Sequence, residues 1–122
     1  PSRLWRLLVF FDYDSYDYYV KVGPTDMRKG AMGLAALVRD HMGLDPFSKA
    51  MFLFCSKDRS ILKILVWDEG FWLLSKKLTG GTFRWPQSED ESLSLCLDDV
   101  KRFLSGQDVF RRLPSVEGKW AF

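Results

Sequence analysis

The chain has 122 residues, 47% of them hydrophobic, with 18 Lys or Arg against 16 Asp or Glu and a formal net charge of +2. That length makes one domain, able to bury roughly two thirds of its unfolded surface, and the apolar content excludes disorder. Near-neutral charge excludes a uniformly basic polyanion binder, and no apolar run reaches the roughly 20 residues that a bilayer crossing needs.

Arg6–Phe11 and Tyr18–Val22 are rich in aromatic and β-branched residues around an Asp/Ser/Tyr turn cluster, which predicts a strand pair. The run Gly23-Pro24-Thr25-Asp26-Met27-Arg28-Lys29-Gly30 follows. Pro24 biases Gly23 away from helix, and Thr25 or Asp26 can accept hydrogen bonds from the first free N–H groups of a helix, so a helix is expected from Asp26 or Met27. Arg28 and Lys29 would then occupy its first turn, where the dipole disfavours cations by a few tenths of a kcal/mol each. Stability does not ask for them there.

Met27, Ala31, Leu34, Val38 and Met42 form one helical stripe, and Gly43 supplies the stop. Such a helix would run about 24 Å, with Lys29, Gly33, Ala36 and Asp40 facing away. Gly30 reads as a site of close helix-to-sheet packing. Outward-facing Gly33 beside Ala36 reads as room for a closely approaching partner backbone. Beyond the Asp45-Pro46 turn, strands are predicted at Ala50–Cys55, Ile61–Trp67, Phe71–Leu78 and Phe83–Trp85, separated by polar or glycine turns, with Pro86 closing the last. This implies a four-stranded antiparallel meander. Leu62, Ile64 and Val66 line one face and Ile61, Leu65 and Trp67 the other, so both faces must be covered. The helix covers one; a second helix, the N-terminal segment or a partner must cover the other. After the acidic loop Pro86–Ser92, Asp98 can cap a short helix ending at Gly106, and the rest reads as an irregular tail. The expected fold class is therefore α+β: an antiparallel meander packed by one long helix, with a second short C-terminal helix, in a single domain spanning 1–122 with flanking segments 1–16 and 111–122.

The eight-residue run, then Gly33-Leu34-Ala35-Ala36-Leu37-Val38 and Asp45-Pro46-Phe47-Ser48, resembles TnpB, the second-reading-frame accessory protein of the sixty-six class of bacterial insertion sequences. The resemblance continues through Lys63–Asp68, Gly70-Phe71, Lys76-Lys77-Leu78, Gly81-Thr82-Phe83 and Trp85-Pro86, and more weakly to Asp108. It covers roughly residues 19–110 in order; residues 1–16 do not share it. It implies a protein encoded beside a transposase and needed for transposition, with no assigned reaction, catalytic residue, cofactor or small-molecule substrate.

The residues themselves offer little catalytic chemistry. His41 is the sole histidine, near the edge of the apolar stripe, where a partly buried structural imidazole is expected. There is no phosphate loop, nucleophile elbow or Cys/His metal spacing. Cys55 and Cys96 are expected as buried thiols of a cytoplasmic protein rather than as a disulfide. A metal-dependent nuclease would need converging carboxylates from Asp26, Asp68 and Glu69, which read more simply as a helix cap and a hairpin turn. Charge is unevenly spread: Lys49 to Trp85 holds seven Lys or Arg against three acids, which permits a basic face. Lys63, Trp67, Lys76, Lys77, Arg84 and Trp85 interleave cations with aromatic rings, as single-strand binding requires, although the tryptophans also suit a core. Arg28 and Arg39 would stand about 16 Å apart along the helix. The expectation is a non-enzyme binding DNA, the transposase or both through Arg28, Lys29, Arg39 and these meander residues, with a pure protein adaptor as the alternative and oligomeric state open.

Overall fold

A computed structural model describes residues 15–88 of the chain. Asp17–Pro24 forms β1, Ala31–Asp40 helix α1, Ala50–Cys55 β2, Ile61–Trp67 β3 and Phe71–Lys77 β4. The sheet order is β1-β2-β3-β4. β2, β3 and β4 pair antiparallel, with Leu53 opposite Ile64 and Ile64 opposite Leu74. β1 pairs parallel to β2, from Asp17 opposite Ala50 to Val20 opposite Leu53, with an irregularity before Pro24 meets Cys55.

The predicted four-stranded antiparallel meander is thus corrected to a mixed sheet. Two-residue turns fold a chain back on itself, whereas an intervening helix carries it the length of the sheet and returns the next strand in the same direction. α1 does this between β1 and β2. Phe83–Trp85 is not a strand; it is an extended segment whose Phe83 N–H donates to Arg59 O at 2.8 Å. The predicted strand Arg6–Phe11 and the C-terminal helix lie outside the described residues.

α1 is also shorter than the Met27–Met42 helix expected from the stripe. Gly30 is its N-cap in extended conformation, and Met27-Arg28 forms a separate turn. Ten residues give a helix of about 15 Å. At its far end His41 N–H and Met42 N–H both donate to Leu37 O, and Leu44 N–H reaches Val38 O across left-handed Gly43 at φ +66°.

Pleat alternation divides the core into two halves. On one face Phe52, Phe54 and Leu65 meet Leu34, Ala35 and Val38 of α1. Full burial of each such aliphatic side chain stabilises by about 1.5–3 kcal/mol. On the other face Met51, Leu53, Cys55, Leu62, Ile64 and Val66 pack with Leu78, Phe83 and Trp85. The chain following β4 therefore contributes to covering the second face. β2 is buried along all six residues because both layers close over it.

Candidate functional site

The run from Gly23 to Gly30 is a clamped loop at one end of the sheet. Gly23, at φ +78°, turns the chain out of β1, and its N–H donates to Pro86 O at 2.9 Å. Thr25 N–H donates to Cys55 O at 2.8 Å. Asp26 does not cap α1. Its Oδ1 accepts from Arg28 N–H at 2.9 Å, a local turn that competes with helix formation and explains the late helix start. From β3, Lys63 Nζ donates to Met27 O at 2.6 Å and Lys29 O at 3.3 Å, fastening the loop to the sheet.

Arg28 points outward, its side chain 90% exposed, and grips Asp26 with Nη2 to Oδ2 at 2.7 Å and Nε to Oδ1 at 3.0 Å. That guanidinium holds the Asp26 carboxyl well below the usual range, while Asp26 raises Arg28. So exposed a pair is open to exchange with another anion. A Cβ on Gly33 would stand 3.3 Å from Lys29 Cβ, so the vacancy at Gly33 accommodates the stem of Lys29. Nothing lies within 4 Å of a Cβ built on Gly30; it caps the helix and makes no close helix-to-sheet contact.

The β2–β3 loop, Ser56–Ser60, stands beside this loop. Asp58 Oδ1 accepts from Ser60 Oγ and Ser56 Oγ, both at 2.7 Å, and from Ser60 N–H at 3.0 Å, which lowers its carboxyl to about 2. Arg59 is held left-handed at φ +61°. Lys77 Nζ donates to Ser60 Oγ at 3.1 Å, Leu78 N–H donates to Ser60 O, and Phe83 N–H donates to Arg59 O. An open cleft of about 670 Å³ separates Thr25–Met27 from Ser56–Asp58 and Ile61. Loop, hairpin, strand end and return segment thus bring Arg28, Lys29, Lys57, Arg59, Lys76, Lys77 and Arg84 to one end of the sheet. Lys57 and Arg59 are additions that sequence reasoning missed. Their nearness to Arg28 follows from the parallel β1–β2 pairing, which no local pattern announces.

The remaining candidates lie elsewhere. Lys63 projects toward the helix side and is engaged by the two loop carbonyls. Trp85 is 5% exposed and its Nε1 donates to Lys21 O at 2.9 Å, so its ring belongs to the core. Lys21 itself is partly buried, which lowers its pKa. Arg39 sits at the opposite end of α1, paired to Asp40 at 3.0 Å, and Arg28 precedes the helix, so the two do not stand along one helix as expected. His41 is exposed, correcting the partly buried imidazole expected from the stripe. Trp67 is at the far end of β3, against Phe47 and Phe71 at 4.8 and 5.0 Å between ring centres. Asp68 and Glu69 turn the chain there, a sheet length from Asp26. Among the described residues no three His, Cys, Asp or Glu side chains group as metal ligands, and no helix is long and apolar enough to cross a membrane. Cys55 is a free buried thiol whose burial pushes it up to about 12.

The family model described as IS66 Orf2 like protein matches residues 16–113. The chain belongs to the IS66 Orf2-like family. Two relatives from Sinorhizobium fredii agree in extent. Uncharacterized protein y4hO is 33% identical over 91 residues, covering 74% of this chain and 79% of its own. Uncharacterized protein y4jC is 32% identical over 112 residues, covering 91% and 86%. No solved structure matches. Membership in the IS66 Orf2-like family points to an accessory role in insertion-sequence transposition. In this family member the residues that carry the resemblance build the two ends of the sheet: Gly23–Gly30 forms the clamped loop, and Asp45–Ser48 forms a turn at the other end, closed by Phe47 N–H on Asp45 Oδ1 and Ser48 Oγ on Asp45 O.

Proposed function

We propose that this protein is a non-catalytic accessory of transposition that holds DNA phosphates at the element ends through the cationic end of its sheet. One observation carries this reading. Seven Lys or Arg from four segments meet there, and the acids beside them among the described residues, Asp26 and Asp58, are engaged by Arg28 and by Ser56 and Ser60. Among the described residues cations therefore outnumber acids at that end, although the whole chain is nearly neutral.

Mechanistically, the outward Arg28 fork can exchange Asp26 for a phosphate oxygen, and the Lys57–Arg59 loop and Lys77 provide neighbouring charges. Each phosphate neutralised releases counterions and adds about 0.9 to the slope of log affinity against log salt. Filter binding to element-end DNA tests this directly. Affinity should fall steeply with ionic strength, and Arg28→Ala with Lys77→Ala should flatten the slope by nearly two phosphates' worth. Affinity that ignores salt would end the reading. The exposed Arg28–Asp26 pair also favours a second reading, in which the same end meets acidic side chains of the transposase and never touches DNA. Binding of the transposase that is lost in Arg28→Ala, with no DNA retention at low salt, would select it. A metal-dependent nuclease is the weakest alternative, because Asp26 and the Asp68–Glu69 turn stand at opposite ends of the sheet.

A further inference from the structure

The end of the sheet remote from the cationic loops carries a different surface. Phe47 is 54% exposed, and its ring lies against Trp67 and Phe71 at 4.8 and 5.6 Å, forming an aromatic cluster on the helix side of the β3–β4 turn. Trp72, 42% exposed, emerges from the other face at the same end, with Nε1 on Asp68 Oδ2 at 3.4 Å. Asp45, Asp68 and Glu69, all exposed, lie in the turns that carry these rings, and Arg39 at the near end of α1 is already paired to Asp40. Lys49, on the adjoining loop, has its ammonium 5.4 Å from the centre of the Tyr16 ring. Glu69 is held at φ +54°, a left-handed conformation that disfavours a residue with a side chain. Folding alone would place glycine or asparagine there.

An exposed aromatic cluster flanked by acidic turns is complementary to one chemistry: a protein segment bearing Arg or Lys next to an apolar side chain. The ring faces attract the cation, the carboxylates pair with it, and the apolar neighbour covers Phe47. DNA is repelled by the same carboxylates. Resting on the accessory role proposed above, we propose that this acidic aromatic end docks a basic segment of the transposase, so that the two ends of one small sheet hold protein and nucleic acid on opposite sides.

The test uses the full chain, the purified transposase of the same element, and element-end DNA. Phe47→Ala and Glu69→Lys should each weaken transposase binding at least tenfold, while leaving salt-dependent DNA retention and the circular dichroism spectrum unchanged. Asp68→Lys with Glu69→Lys should abolish it. Arg28→Ala with Lys77→Ala should do the reverse, lowering DNA retention while sparing the transposase. A crosslinker at position 47 should capture transposase peptides with net positive charge. Transposase binding that tolerates both Phe47→Ala and Glu69→Lys overturns the inference and leaves the DNA-holding role standing. So would crosslinks from position 47 to second copies of this chain, or sedimentation showing a dimer that Phe47→Ala dissociates.

Discussion

Replacing Lys63 by Met keeps an unbranched stem of similar length in the helix-side layer but removes the ammonium that ties Met27 O and Lys29 O to β3. The contact to Met27 O is short, at 2.6 Å, and that to Lys29 O is long, at 3.3 Å. Hydrogen bonds to a charged group contribute about 1.5–3 kcal/mol each when well formed. The longer bond counts for less, and carbonyls of a surface loop can regain water, so a loss of about 2 kcal/mol is expected for the pair. With a urea slope of about 1–3 kcal/mol per molar, the unfolding midpoint should drop by about 1 M with the slope itself unchanged. Urea titration followed by tryptophan fluorescence reads both quantities. A midpoint within about 0.2 M of the parent, beside a salt slope for DNA reduced by one phosphate's worth, would refute the anchoring role and make Lys63 a direct DNA contact.

Other outcomes follow from the same geometry. The Asp58 carboxyl lies at about 2 in the fold against an ordinary 3.8, so the unfolded chain takes up its proton first; the stability it adds is present above pH 4 and lost as pH falls toward 2. Asp58→Asn should flatten the urea midpoint between pH 5 and pH 2.5, and an unaltered profile would show that the serine hydrogen bonds do not hold in solution. In a Cys96→Ser background, Cys55 should resist a disulfide reagent at pH 8 until urea unfolds the chain, because the thiol is buried and pushed up to about 12; rapid stoichiometric labelling of folded protein would contradict its burial. Trp85→Phe should cost about 1 kcal/mol for the lost bond to Lys21 O, and Trp85→Ala about 3–5 kcal/mol, both measured by thermal unfolding. Glu69→Asn should raise stability by up to about 1 kcal/mol while weakening transposase binding, separating the needs of folding from those of docking.

Hydrophobic runs and turn chemistry made β2, β3 and β4 legible, since Ile61–Trp67 is a nearly unbroken apolar run and Asp68-Glu69-Gly70 joins it to β4 by a short hairpin. Helix existence was equally plain from the Leu34–Val38 stripe. Its start was not, because an aspartate before a helix looks the same whether it caps the helix N–H groups or closes a turn of its own onto Arg28. Parallel pairing of β1 with β2 was hidden because it depends on the direction in which α1 returns the chain, a property of the whole unit rather than of any local run. The candidate site was misapportioned for the same reason. Trp67 and Lys63 share a strand with apparently suitable spacing, yet the pleat and strand length send one to the acidic end and turn the other toward the helix-side loop. Lys57 and Arg59 looked like ordinary loop charges until the crossover set them beside Arg28.

The return segment from Leu78 to Pro86 lays Trp85 across the sheet onto Lys21, a residue 64 positions earlier. Gly23 likewise takes its acceptor from Pro86. The margin of β1 is therefore one of the last parts of the fold to be sealed, and only after the ribosome has delivered nearly the whole described chain. A product that stops just past β4 would display an unlatched parallel strand with tyrosines along it, the kind of open border that recruits neighbouring strands into aggregates. Frameshifts or early stops between Leu78 and Pro86 should thus yield inclusion bodies rather than a weakened accessory.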